Sequence, residues 1–130
     1  MGFEVHVDTQ QKLIISRWQD AVDETALRSY VDEAWTDPSR RGFNELIDFS
    51  LVSDVDAPFE ALQAVAEYSR QFDNPEKSAR TAVVAPSDLI FGLSRMFAGL
   101  RSADEDDRRL FAVFGSDKEA SHWLSEAPPP

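Results

Sequence analysis

The chain reads as an α/β domain: a mixed five-stranded sheet with four helices, entered through an opening β-hairpin. Three observations predict it. Phe3, Val5 and Val7 alternate with Glu4, His6 and Asp8, the period of a half-buried strand. In the later strands, Leu46, Ile47 and Phe49 leave few polar positions and Thr81 to Ala85 reads as buried, as expected where both faces of a sheet are covered. Between them lie stretches whose apolar residues recur at helical spacing, and alternating strands and helices imply parallel pairing with right-handed crossovers.

Each element has its own signal. Asp8-Thr9-Gln10-Gln11 is a polar turn, and Leu13 to Trp18 is the second strand of the hairpin. Helix signals begin near Asp20 to Asp23; Leu27, Tyr30, Val31, Ala34 and Trp35 share one face, and Asp37-Pro38 stops the helix. Arg40-Arg41-Gly42 is a connector into the third strand, after which an acidic loop is expected. The second helix starts near Pro58, which suits a first turn, and buries Phe59, Leu62, Val65, Ala66 and Phe72. Asp73-Asn74-Pro75 ends it. Pro86-Ser87-Asp88 opens the third helix, residues 88–100, followed by a charged loop at 102–109 and a fifth strand at 110–114. Ser116 and Glu119 fit a capping box for the last helix, which turns Ala120, Trp123 and Leu124 inward. Residues 1–126 form one domain and 127–130 a disordered tail.

Composition narrows the function. With 24 acids against 13 bases, the net charge of −11 repels phosphate backbones and anionic headgroups, so nucleic acid is disfavoured. The absence of cysteine removes disulfides, thiolate nucleophiles and cysteine metal sites together. No apolar run approaches the ~20 residues of a membrane span, and the first ten residues have no signal-peptide pattern, which points to the cytoplasm.

No catalytic set is visible. His6 and His122 come from opposite ends of the chain and read as surface positions. Ser94 lacks the second glycine of a nucleophile elbow. Asp48, Asp54 and Asp56 could gather after the third strand, and Asp54 and Asp56 are the candidate loop site; without a calcium-loop pattern or a nearby lysine they read more simply as turn and cap residues. Asp104 to Asp107 reads as a solvated acidic loop. No cofactor or metal is expected. The third helix is different, because Ile90 and Phe91 spill beyond its inner face of Leu89, Leu93, Met96, Phe97 and Leu100. Ile90, Phe91, Arg95 and Met96 are the candidate surface, for a symmetric dimer or for an apolar ligand.

Three stretches carry a resemblance: Glu45 to Ser50, Phe91 to Phe97, and Phe111 to Leu124, which reads FAVFGSDKEASHWL. In this order they resemble the STAS domain of anti-anti-sigma factors, and more specifically the SpoIIAA-like family of small bacterial STAS/SEC14-type proteins. The resemblance implies a STAS-like fold. It also implies a loop ending in Asp-Ser-Ser-Gly, whose second serine is phosphorylated to switch partner binding. The matching stretch here is Asp56-Ala57-Pro58-Phe59, and neither Ala57 nor Pro58 has a hydroxyl. The sequence therefore points to a non-enzymatic STAS-like regulatory or protein-interaction module, a homodimer or the binder of a protein partner. The alternative is a small carrier of an apolar or lipid-like ligand near helix 88–100.

Overall fold

The structure is a computed structural model that describes residues 2–73, 79–102 and 109–126. Its elements are β1 (Phe3–Asp8), β2 (Leu13–Asp23), α1 (Glu24–Trp35), a 3-10 turn (Pro38–Arg40), β3 (Asn44–Asp56), α2 (Phe59–Arg70), β4 (Ala79–Val84), α3 (Asp88–Ser102), β5 (Arg109–Phe114) and α4 (Asp117–Ser125). The five strands form one sheet in the order β1-β2-β3-β4-β5, with β1 antiparallel to β2 and every later pair parallel. This is the mixed five-stranded sheet with four helices that the sequence predicts.

The order fixes the layers. When each parallel strand is added beside the last in the same direction, right-handed crossovers place every connecting helix on one face. Accordingly α1, α2 and α3 pack side by side on one face, and α4 covers β3, β4 and β5 from the other. Strand alternation then divides the core. Ile14, Trp18, Val52 and Val83 turn toward α1–α3, where Tyr30, Val31, Trp35, Val65 and Ile90 meet them. Leu46, Ala82 and Val84 turn toward Ala120, Trp123 and Leu124 of α4.

Local chemistry sets the joints. In the hairpin, the Asp8 carboxylate accepts from Gln10 N and Gln11 N, both at 3.1 Å. Asp23 caps α1 by accepting from Ala26 N at 2.8 Å. Gly42 sits at φ 91°, in the left-handed region that favours glycine, where the chain turns into β3.

Two strands run further than the sequence suggests. β2 continues past Trp18 to Asp23, and β3 past Phe49 to Asp56. Asp54 and Asp56, expected on a loop, therefore lie on a strand. The extensions pair with each other, Val22 with Val55 and Asp23 with Asp56, beyond the last pairs that β1 and β4 make. Register shifts at Arg17/Gln19 and Asp20/Ala21, with Asp20 at φ 63°, keep Val22 and Val52 turned into the core while the acids face outward. These shifts break the period of two, so the residues that hold the strand together do not alternate in sequence. The charged run Asp104–Asp107 and the tail 127–130 lie outside the described residues.

Candidate functional site

A buried polar network sits on the helix-rich face of the sheet. Glu45 of β3 is 2 % exposed because its phase on the strand turns it inward, between Leu46 and Asn44. Its Oε2 accepts from Tyr30 Oη and, at 3.1 Å, from Trp35 Nε1; its Oε1 accepts from Thr81 Oγ1 at 2.8 Å. Arg109 of β5 closes the network, donating from Nη1 to Thr81 Oγ1 at 3.0 Å and from Nη2 to the Phe43 carbonyl at 2.8 Å. Its guanidinium lies 4.0 Å from the Trp35 ring centroid. Burial, then the charge of Glu45, hold Tyr30 well above the usual tyrosine range. Burial lowers Arg109, opposed by the attraction of Glu45 and Asp73. A second buried cation, Arg101 of α3, donates to Ser69 Oγ at 2.6 Å and pairs with Asp73. With both oxygens of Glu45 engaged, the network ties α1 to the sheet.

Beside this network lies a cavity of about 100 Å³ between α1, α2, α3 and the sheet. Its walls are mainly apolar, including Val31 of α1, Leu62 and Val65 of α2, and Leu93 and Phe97 of α3.

The carboxyl end of the sheet differs. Leu51, on the free extension of β3, is 71 % exposed; Phe59 and Leu89, in the first turns of α2 and α3, are 47 % and 58 % exposed. Asp20 and Asp23 of β2, Asp54 and Asp56 of β3, Glu60 of α2 and Asp88 of α3 stand at the same end. The end thus carries three exposed apolar side chains and six carboxylates.

A scan against protein-family models finds no match to the sequence, and a search of curated proteins finds none either. Solved structures do match. An uncharacterised protein of the DUF3478 family from Shewanella loihica PV-4, with a SpoIIAA-like fold, superposes with a TM-score of 0.58 at 13% identity, over 95% of this chain and 94% of that one. The anti-sigma factor antagonist SpoIIAA in its unphosphorylated form gives 0.58 at 14% identity, over 94% and 96%. The Bacillus cell fate determinant SpoIIAA in its phosphorylated form gives 0.52 at 15% identity, over 94% and 98%.

The chain has the SpoIIAA-like fold. Within it, the residues singled out from sequence scatter. Ile90 is 2 % exposed and belongs to the core; Phe91 is half-buried against that core. Met96 is half-buried and Arg95 exposed, so the four do not form one outward patch. Asp54 accepts from the Val55 N–H at 2.9 Å and Asp56 is exposed. Among the described residues no three His, Asp or Glu side chains are grouped to hold a metal ion, and no helix is long and apolar enough to cross a membrane. His6 and His122 are both exposed. The residues missed from sequence are Glu45, Arg101 and Arg109. One signal was present: Glu45 is a charge directly beside the apolar pair Leu46-Ile47 on a strand.

Proposed function

We propose that this chain is a non-enzymatic STAS-like module that binds a protein partner through the carboxyl end of its sheet. The observation that carries this reading is that Leu51, Phe59 and Leu89 are all exposed at this one end of the sheet, which also bears a set of carboxylates. Exposed apolar anchors accompanied by charge are the makeup of a protein-binding surface, and the sign of that charge selects a basic partner. The likeness to SpoIIAA, an anti-sigma factor antagonist, supports a role in protein binding. The switch differs, however. At the start of α2, Pro58 occupies the N-cap and makes no side-chain cap bond. It offers no oxygen to a phosphate, so partner binding here is regulated by something other than phosphorylation at that position.

A second reading, self-association through α3, has one observation in its favour. Leu89, Gly92 and Gly99 face outward on α3, and a Cβ built on either glycine meets nothing within 4 Å. A second helix could therefore approach closely there.

Peptide display against the immobilised chain tests the first reading. Enrichment of sequences combining Lys or Arg with Leu or Phe is expected, with binding that falls as salt rises and drops at least tenfold in Phe59→Asp. Binders without basic residues, or binding untouched by both Phe59→Asp and Leu51→Asp, would overturn it. A concentration-dependent dimer lost on Leu89→Asp would favour the second reading.

A further inference from the structure

We infer that the cavity between α1, α2, α3 and the sheet is a binding site for a compact, uncharged, apolar molecule of about the size of benzene. This goes beyond the partner surface and uses different residues.

Size sets the first limit. The cavity measures about 100 Å³. Pockets for drug-sized ligands occupy roughly 300–1,000 Å³, whereas an apolar cavity of about 150 Å³ stays dry and takes benzene. A small ring or short branched hydrocarbon therefore matches that volume, whereas an acyl chain would have to extend beyond it.

Chemistry sets the second limit. Val31, Leu62, Val65, Leu93 and Phe97 offer a water molecule no partners. Most polar groups on the wall are engaged with one another, Ser94 not being among them. Ser69 and Asp73 accept from Arg101, and Glu45 accepts from Tyr30, Trp35 and Thr81. The Nε of Arg101 is the exception among these groups; it has no acceptor and is fully covered. Charge is also balanced, since Glu45 and Asp73 offset Arg101 and Arg109. A carboxylate or amine would thus bring an uncompensated charge into the interior. A neutral apolar molecule does not, and it gains the contacts that the void lacks.

Position argues for the same conclusion. The cavity touches all three helices of one layer. An occupant would tie those helices together, and α2 and α3 begin with Phe59 and Leu89 of the exposed end.

The test is methyl-resolved NMR of the full chain titrated with benzene and, separately, with benzoate. Benzene is expected to shift the methyl resonances of Val31, Leu62, Val65 and Leu93 in a saturable way, and benzoate to leave them in place. Ser94 is buried and lines the cavity, so Ser94→Leu fills it and should weaken benzene binding at least tenfold. Val31→Leu serves as a second filling variant should Ser94→Leu fail to fold. Absence of saturable shifts with benzene would overturn the site, as would shifts unchanged in the folded filling variants. Equal binding of benzoate would overturn the restriction to uncharged ligands. Phe59→Asp should leave benzene binding intact, so the site stands or falls separately from the partner surface.

Discussion

Removing the Glu45 carboxylate would strand three donors and leave Arg109 buried without its nearest anion. Breaking a buried charge network from one side costs about 3–5 kcal/mol, so Glu45→Ala is expected to lower urea-derived stability by that order. A loss below about 1 kcal/mol would show that the network is dispensable. Tyr30 adds a pH dependence. Its hydroxyl keeps its proton in the fold beyond the pH near 10 at which an unfolded tyrosine releases it. The unfolded state then binds fewer protons, so the stability Tyr30 contributes is complete below about pH 10 and declines as pH rises further. Tyr68, the chain's other tyrosine, is also raised, first by its hydrogen bond to Asp32. In a Tyr68→Phe background, denaturation between pH 9 and 11 should show a decline that Tyr30→Phe removes. An identical decline in both proteins would assign it to other groups.

At the scale of elements, α1 depends on Asp23, which accepts from Ala26 N at the junction with β2. Asp23→Ala should cost about 1 kcal/mol, and Asp23→Ser should recover most of it, read by thermal denaturation. No difference between the two would mean that the cap does not hold the junction. The caps were legible in the sequence. At α4 the Ser116 half of the expected capping box forms, with Glu119 N donating to Ser116 Oγ at 3.2 Å, while the Glu119 carboxylate accepts from the Ser116 hydroxyl at 3.0 Å. Period and spacing also showed the helices, because each buries one continuous face. The extension of β3 was not legible, since its register shifts with β2 destroy the alternation that marks a strand. That same extension is guarded as an edge should be. Asp48 accepts from Ser50 N and Asp54 from Val55 N, so these side chains occupy donors that a foreign strand would seek. The buried network was hidden for another reason. Glu45 lies opposite Thr81, and Thr81 opposite Phe111, so Glu45 and Arg109 approach only after three strands are in register. No local spacing announces that meeting. The cavity, a property of three helices and a sheet together, had no local signature either, though a ligand pocket against helix 88–100 was one of the two expectations raised by its surplus of apolar residues.

Over the whole molecule, the two faces of the sheet have separate tasks. The α4 side is a small apolar cluster built around Leu46, Ala82, Val84 and Ala120. The α1–α3 side carries the charge network, the cavity and, at its carboxyl end, the helix starts that display Phe59 and Leu89. A net charge of −11 keeps the molecule from self-association through most of its surface. Apolar anchors at one end are thus the places where that repulsion is locally outweighed.

The unbroken strand order has a consequence for synthesis. Every strand is hydrogen-bonded to the one made just before it, although each parallel pairing spans a crossover helix and so must first close a long loop, which slows folding. A nascent chain can still lay down its sheet strand by strand as it emerges. Arg109, at the start of β5, arrives last among the buried partners of that network. Until it does, Glu45 has Tyr30, Trp35 and Thr81 as donors and no Arg109 guanidinium beside them, so the network is complete only once the fifth strand is in place.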